Sequence, residues 1–288
     1  MIAKQDILDR VTEWRLRPDV IEKDYVLGWV LAAIAAHPTA GTGWVFKGGT
    51  CLKKCYFETY RFSEDLDFTL APESPYDAGA LRQVLVEVVA AAHEMSGIEF
   101  PEELVEVRER KDKLGRTTFQ GKIGYRGPLL SPFYPRIIFD LSRHEPIQLP
   151  PTSRAILHPY PDELPSEAAV TTYQFEELFA EKLRALVERT RPRDLYDIVF
   201  ILETRAGETD LESVRNVYER KCAAKDLAVA RAHEIVALAA QAGELRSEWE
   251  NMLAHQLPEL PPLDGVLSSI FRSATAPQWS IQFSSTFG

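Results

Sequence analysis

The chain has 288 residues, 45% of them apolar and 26% charged, which is the composition of an ordinary globular protein with ample material for a core. Its net charge of −10 argues against nucleic-acid binding by bulk electrostatics, and its three cysteines, an odd number, argue against a disulfide framework and fit a reducing cytoplasm. No apolar run approaches the ~18–20 residues of a membrane span, and the opening MIAKQDILDR has no signal-peptide core.

In chain order, residues up to about Pro38 read as helical, carried by Ile7, Leu8 and Val11 and then by Val20–Ala36. A turn cluster (Pro38-Thr-Ala-Gly-Thr-Gly) precedes a short strand, Trp44–Lys47. A glycine turn, a helix over CLKKCYF and a strand DLDFTL follow, then a loop APESPYDAG. Ala80–Met95 is apolar at helical spacing, Val105–Tyr125 reads as a hairpin about Lys113-Leu-Gly-Arg, and Tyr134–Ser142 reads as a strand. Residues 144–170 are proline-rich and read as a connector, after which the pattern is helical, interrupted at Leu257-Pro-Glu-Leu-Pro-Pro. The last dozen residues, polar and aromatic, are expected to be poorly ordered. The expectation is an α+β N-terminal domain over 1–150 and a mainly helical domain over 151–288, with a nucleotide cleft between them.

The informative stretch is KGGTCLKKCYFETYRFSEDLDF, Lys47–Phe68. A turn of Gly48, Gly49 and Thr50 can let backbone N–H groups approach a phosphate. In a strand, the period of two points Asp65 and Asp67 to one face and Leu66 and Phe68 to the other. Side-by-side carboxylates repel, and a hard divalent cation relieves that repulsion. Alternating acids on an exposed strand would be the plain alternative, but the glycine turn and the apolar strand favour a metal. Ser63 either meets a phosphate or caps the turn. Lys47 and Arg61 flank the motif as further phosphate candidates. Cys51 and Cys55, four apart with no ligand-spaced His, read as small buried side chains.

Asp140 closes the apolar run Arg136-Ile-Ile-Phe-Asp, either as a third carboxylate or as a strand-end residue starting a turn. At about 100° per residue from Phe175, Lys182 falls near −20°, inside the stripe of Leu178, Phe179, Leu183 and Leu186. A lysine there must snorkel, pair with an acid or meet a phosphate; Arg189 lies at the edge of the stripe. After Pro192 another helix begins, and Asp194 is either its N-cap or, with Asp197, part of a site. Between Glu106 and Arg126 seven basic residues (Arg108, Arg110, Lys111, Lys113, Arg116, Lys122, Arg126) face three acidic ones (Glu106, Glu109, Asp112), either a solvated hairpin or a track for an RNA backbone. No histidine has ligand spacing, and no Gly-x-Ser-x-Gly, Walker-type or Rossmann fingerprint occurs.

These motifs resemble the AbiEii/AbiGii-type nucleotidyltransferase toxins, a branch of the polymerase β-like superfamily, on Gly48-Gly49-Thr50, CLKKCYF and Asp65-Leu66-Asp67. The resemblance extends to IEKDYVLGWVL upstream, where Glu22, Lys23 and Asp24 suggest an ion-pair group without evident chemistry. Downstream it takes in FEELFAEKLRALVERTRPRDLYDIVFIL. It implies a polymerase β-like nucleotidyltransferase domain followed by a helical domain. Asp65, Asp67 and Asp140 would hold Mg²⁺ or Mn²⁺. Gly48, Gly49, Thr50, Ser63, Lys182 and Asp194 would bind an NTP, with Lys182 and Asp197 in catalytic places. It further implies transfer of a nucleoside monophosphate to a hydroxyl, foremost the 3′ end of a tRNA, by the toxin of a toxin–antitoxin or phage-defence pair with a cognate antitoxin. A protein hydroxyl as acceptor, or a non-catalytic nucleotide sensor, stays open.

Overall fold

A computed structural model describes residues 1–58, 60–205 and 207–275; the C-terminal segment expected to be poorly ordered lies outside these. The chain forms two compact units, Met1–Ile147 with Pro151–Tyr173, and Gln148–Pro150 with Gln174–Gly288.

The first unit begins with α1 (Lys4–Trp14) and α2 (Pro18–Ala36). Pro18 suits the first helical position, where an N–H would be left over anyway. Apolar residues occur all round α2, so it is buried on nearly every side from Val20 to Ile34. A short α3 (Ala40–Gly43) leads into β1 (Trp44–Lys47). Next, α4 (Gly48–Cys51) continues as a π-helical turn, Leu52–Tyr56, and β2 (Asp65–Leu70) follows. Helix α5 (Ala78–Ser96) starts where the Asp77 side chain accepts a bond from the Ala80 N–H and stops at Gly97, whose φ of 73° few other residues adopt. The remaining strands are β3 (Glu106–Lys111), β4 (Thr117–Gly124), β5 (Arg136–Ser142), β6 (Thr152–Ala155) and β7 (Ala169–Thr172).

The seven strands form one mixed sheet in the order β3-β4-β5-β2-β1-β7-β6. Its two faces differ because the sequence alternates. Leu66, Phe68 and Leu70 of β2, Phe119 and Ile123 of β4, and Ile137, Phe139 and Leu141 of β5 are all buried. They form the apolar face, against which α5 packs. At Gly121 a Cβ would lie 2.7 Å from Leu85 Cδ1 of α5, so the missing side chain sets how closely the helix approaches. The opposite face carries Asp65, Asp67, Asp140, Gln120 and Lys122, none of them buried.

One expectation needs correction. Residues 144–170 are more than a connector, because they hold β6 and the first half of β7, and β7 lies parallel to β1 with Phe46 opposite Thr172. Strands of four residues are too short to show an alternating pattern, and the surrounding prolines masked them.

The second unit comprises α6 (Phe175–Arg189), α7 (Pro192–Arg205), α8 (Leu211–Ala223), α9 (Ala232–Gln241), α10 (Gly243–Leu253) and α11 (Leu263–Thr275). Its core includes a buried ion pair, Lys221 Nζ to Glu177 at 2.7 Å. Glu177 also accepts the backbone N–H groups of Gln148 and Leu149, which fastens that short segment to α6. Among the described residues, no helix is long and apolar enough to cross a membrane.

Candidate active site

The glycine turn is shaped by what lies against it. Gly48 has a φ of 79°, and a Cβ there would fall 2.1 Å from Asp67 Oδ2. A Cβ on Gly49 would fall 2.6 Å from Arg61 Nη2 and 3.1 Å from Ser63 Oγ. The two glycines therefore let the backbone lie directly on Asp67, Arg61 and Ser63. Thr50 is fully buried, and its hydroxyl donates to the Asp65 carbonyl, so it ties the turn to β2. Ser63 sits beside the turn, whereas Arg61 is buried, with its guanidinium donating to the Phe62 carbonyl.

Strand register brings the acids together. Asp67 lies opposite Lys47 of β1 on one side and opposite Asp140 of β5 on the other. Asp140 in turn lies opposite Gln120 of β4, whose amide reaches Asp140 Oδ1 at 3.5 Å. Residues directly opposite one another share a face, so Lys47, Asp67, Asp140 and Gln120 form one rung across four strands. Asp65, two residues before Asp67, is on the same face. Asp65 and Asp67 are half-buried and Asp140 is exposed. Oxygen donors of this kind suit a hard divalent cation. Among the described residues, however, no three acidic, histidine or cysteine side chains are gathered tightly enough to hold a metal ion. The carboxylates are abreast but not converged. Lys47 pairs with Glu145, a residue to which no sequence pattern pointed, and its ammonium lies 5.6 Å from the Tyr173 ring.

Of the Glu22-Lys23-Asp24 group of α2, Lys23 and Asp24 form ion pairs, both with residues next to the turn and β2. Lys23 meets Glu64 at 2.6 Å, immediately before Asp65. Asp24 meets Lys54 at 2.7 Å, with both side chains almost wholly buried, and accepts the Tyr160 hydroxyl at 2.9 Å. Burial by itself would raise the Asp24 carboxyl, but the Lys54 and Lys53 charges and the Lys54 and Tyr160 hydrogen bonds outweigh it and hold it below the ordinary aspartate value. Glu22 accepts the Leu129 N–H at 2.6 Å; its carboxyl is raised, chiefly by burial. Lys54 is a functional neighbour that sequence reading missed. Its signal was a pair of lysines inside an otherwise apolar helical segment. Cys51 and Cys55 are buried and form no disulfide, in keeping with small buried side chains.

In the second unit Lys182 pairs with acids, one of the three fates open to it. Its Nζ is 2.8 Å from Asp197 Oδ2 and 3.5 Å from Asp194 Oδ1, and only 8% of the residue is exposed. Arg189 grips Asp194 with two bonds of 2.8 and 3.1 Å. Asp194 is not an N-cap: α7 starts at Pro192, so Asp194 lies in its first turn and points at the two cations. Burial would raise its carboxyl, but Lys182 and Arg189 prevail and lower it. Helices α6 and α7 thus bring together two cations, Lys182 and Arg189, and two carboxylates, Asp194 and Asp197.

A glycine turn laid on an aspartate pair, with a third aspartate in register beside it, is the arrangement that the sequence resemblance led to, and comparison with known proteins shows the chain to be a nucleotidyltransferase. The chain is similar in structure to MenT4, a nucleotidyltransferase toxin from Mycobacterium tuberculosis H37Rv, with a TM-score of 0.66 at 20% identity over 96% of this chain and 89% of that one. A family model, nucleotidyl transferase AbiEii toxin of type IV toxin–antitoxin systems, matches residues 29–280, and the chain belongs to that family. No curated protein matches the sequence.

Proposed function

We propose that this nucleotidyltransferase toxin transfers a nucleoside monophosphate from an NTP to the 3′-terminal hydroxyl of an RNA, foremost a tRNA, and that a cognate antitoxin restrains it. The observation that carries the chemistry is the single rung of Asp67 and Asp140 beside Gly48, whose backbone lies against Asp67.

In this reading Asp65 and Asp67 hold Mg²⁺ or Mn²⁺, with Asp140 as the third carboxylate once the acids converge. Such an ion would supply charge neutralisation of the triphosphate and of the leaving oxygen. Backbone N–H groups of Gly48, Gly49 and Thr50 receive phosphate oxygens, with Ser63 as a further donor. The Thr50 hydroxyl, engaged with Asp65, positions the turn. Lys182, paired with Asp194 and Asp197 within the helical unit, is the lysine that the family resemblance assigns to the triphosphate. Asp140, at the open side of the rung, is the base best situated to receive the acceptor proton.

The test is transfer of label from each α-³²P-NTP with Mg²⁺ and total RNA, by wild type and by Asp67→Asn. RNA labelling that vanishes in the variant supports the proposal and identifies the preferred nucleotide. Labelled protein with unlabelled RNA would overturn the acceptor assignment, and triphosphate binding without any transfer would overturn catalysis.

A further inference from the structure

The rung that carries the acids does not end at Gln120. Gln120 lies opposite Arg108 of β3, so one line of residues runs Lys47, Asp67, Asp140, Gln120, Arg108 across five strands. With strands ~4.8 Å apart, Arg108 stands roughly 10 Å from Asp140 along that line. The flanking positions on the same face are also basic. Lys122 is two residues from Gln120, Arg110 two from Arg108, and Arg136 four from Asp140. The basic cluster of the β3–β4 hairpin therefore divides by face, and four cations share the face of the carboxylates.

These four are available to a ligand. Arg108, Arg110 and Arg136 are exposed, and Lys122 makes no ion pair or side-chain hydrogen bond among the described residues. Arg108 and Arg136 both lean on one acid, Glu106, at 2.9 and 3.4 Å. Exposed pairs of this kind contribute about 0–1 kcal/mol, so exchanging them for phosphate costs little. Arg110 donates to Gln120 Oε1 at 2.8 Å, which connects the basic strip to the residue touching Asp140.

We infer that this strip, Arg108, Arg110, Lys122 and Arg136, is the track on which the phosphate backbone of the acceptor RNA lies as its 3′ end reaches Asp140. The inference rests on the RNA-acceptor reading and adds the path of the strand. A net charge of −10 opposes a polyanion in bulk, so a local strip of like cations leading to the acids selects the approach. An acidic protein surface is the competing occupant. It has no need to end at Asp140.

The test uses the full chain with single-stranded RNA as probe. Binding to Asp67→Asn protein is followed by fluorescence anisotropy across salt concentrations, and KM values for RNA and NTP are measured in the otherwise wild-type enzyme. The variants are Arg108→Glu with Lys122→Glu, and Lys111→Glu, which changes charge on the opposite face of β3. The double variant is expected to raise the RNA KM at least about tenfold, leave the NTP KM unchanged and flatten the salt slope by roughly 0.7 per lost phosphate contact. Lys111→Glu is expected to change neither KM. Equal effects from both variants would reduce the strip to net charge and overturn the inference. So would an unchanged RNA KM, including one accompanied by weaker binding of an antitoxin protein. Because RNA binding is read without turnover, failure of the track remains distinguishable from failure of the transfer reaction.

Discussion

The two faces of the β2–β5 pair are built from the same strands and serve opposite ends. Phe139 and Leu66 point into a closed apolar layer, while Asp140 and Asp67, one residue along, point out of it. On the closed face every group is held by packing, and a change in volume is felt as stability. On the other face Asp65 and Asp67 are half-buried and Asp140 is exposed, so polar side chains, not a packed layer, make up the surface. The lesson is that one strand pair can carry a packed apolar layer on one face and a row of charges on the other.

The comparison breaks if the adjacent residues fail to behave differently. The largest effect is expected from Asp67→Asn. Loss of about 3–4 kcal/mol of transition-state stabilisation would lower transfer roughly 10²–10³-fold, with a far smaller change in the urea midpoint. Phe139→Ala should do the reverse. Unfolding free energy should fall by about 3–5 kcal/mol, while activity per folded molecule persists. Similar losses in both quantities from both variants would show that the faces are not separable.

A buried brace sharpens the contrast. Lys54→Met leaves Asp24 charged and unpaired in the interior and is expected to cost about 3–5 kcal/mol in a urea titration, far more than any exposed pair of the β3–β4 hairpin. Gly48→Ala introduces a Cβ at positive φ and against Asp67; about 1–3 kcal/mol of strain and a larger fall in kcat than in NTP affinity are expected.

The smallest effect concerns pH. Asp194 is held below its unfolded value, about 3.9, so it binds its proton less readily in the folded chain. Its stabilising contribution is therefore fully present above that value and is lost as pH falls through the lower, folded value. The stability gap between wild type and Asp194→Asn should narrow between pH 6 and pH 3 in paired urea midpoints. A gap that stays constant would mean that Asp194 gains nothing from Lys182 and Arg189.

Much of this was legible in the sequence because it depended on short-range pattern. The period of two in DLDFTL announced the split between Asp67 and Phe68, and the helical stripe around Lys182 announced that an ammonium needed a partner. What pattern could not supply was register. Nothing in the sequence says that Asp140 rather than Ile138 stands opposite Asp67, or that Gln120 stands beyond it. The Asp24–Lys54 pair, thirty residues apart, was hidden for the same reason, and β6 and β7 were too brief to register as strands.

That last pair of strands has a consequence for the order of events during synthesis. β1 is finished at residue 47, yet its parallel neighbour β7 is complete only at residue 172. On an emerging chain, the edge of β1 opposite β2 stays bare while more than a hundred further residues are made, at about 5–20 per second. An unpaired strand edge invites foreign strands. The nascent toxin therefore passes through an interval of several seconds in which its glycine turn has been made but one flank of its sheet is open, and during that interval it is most exposed to misassembly.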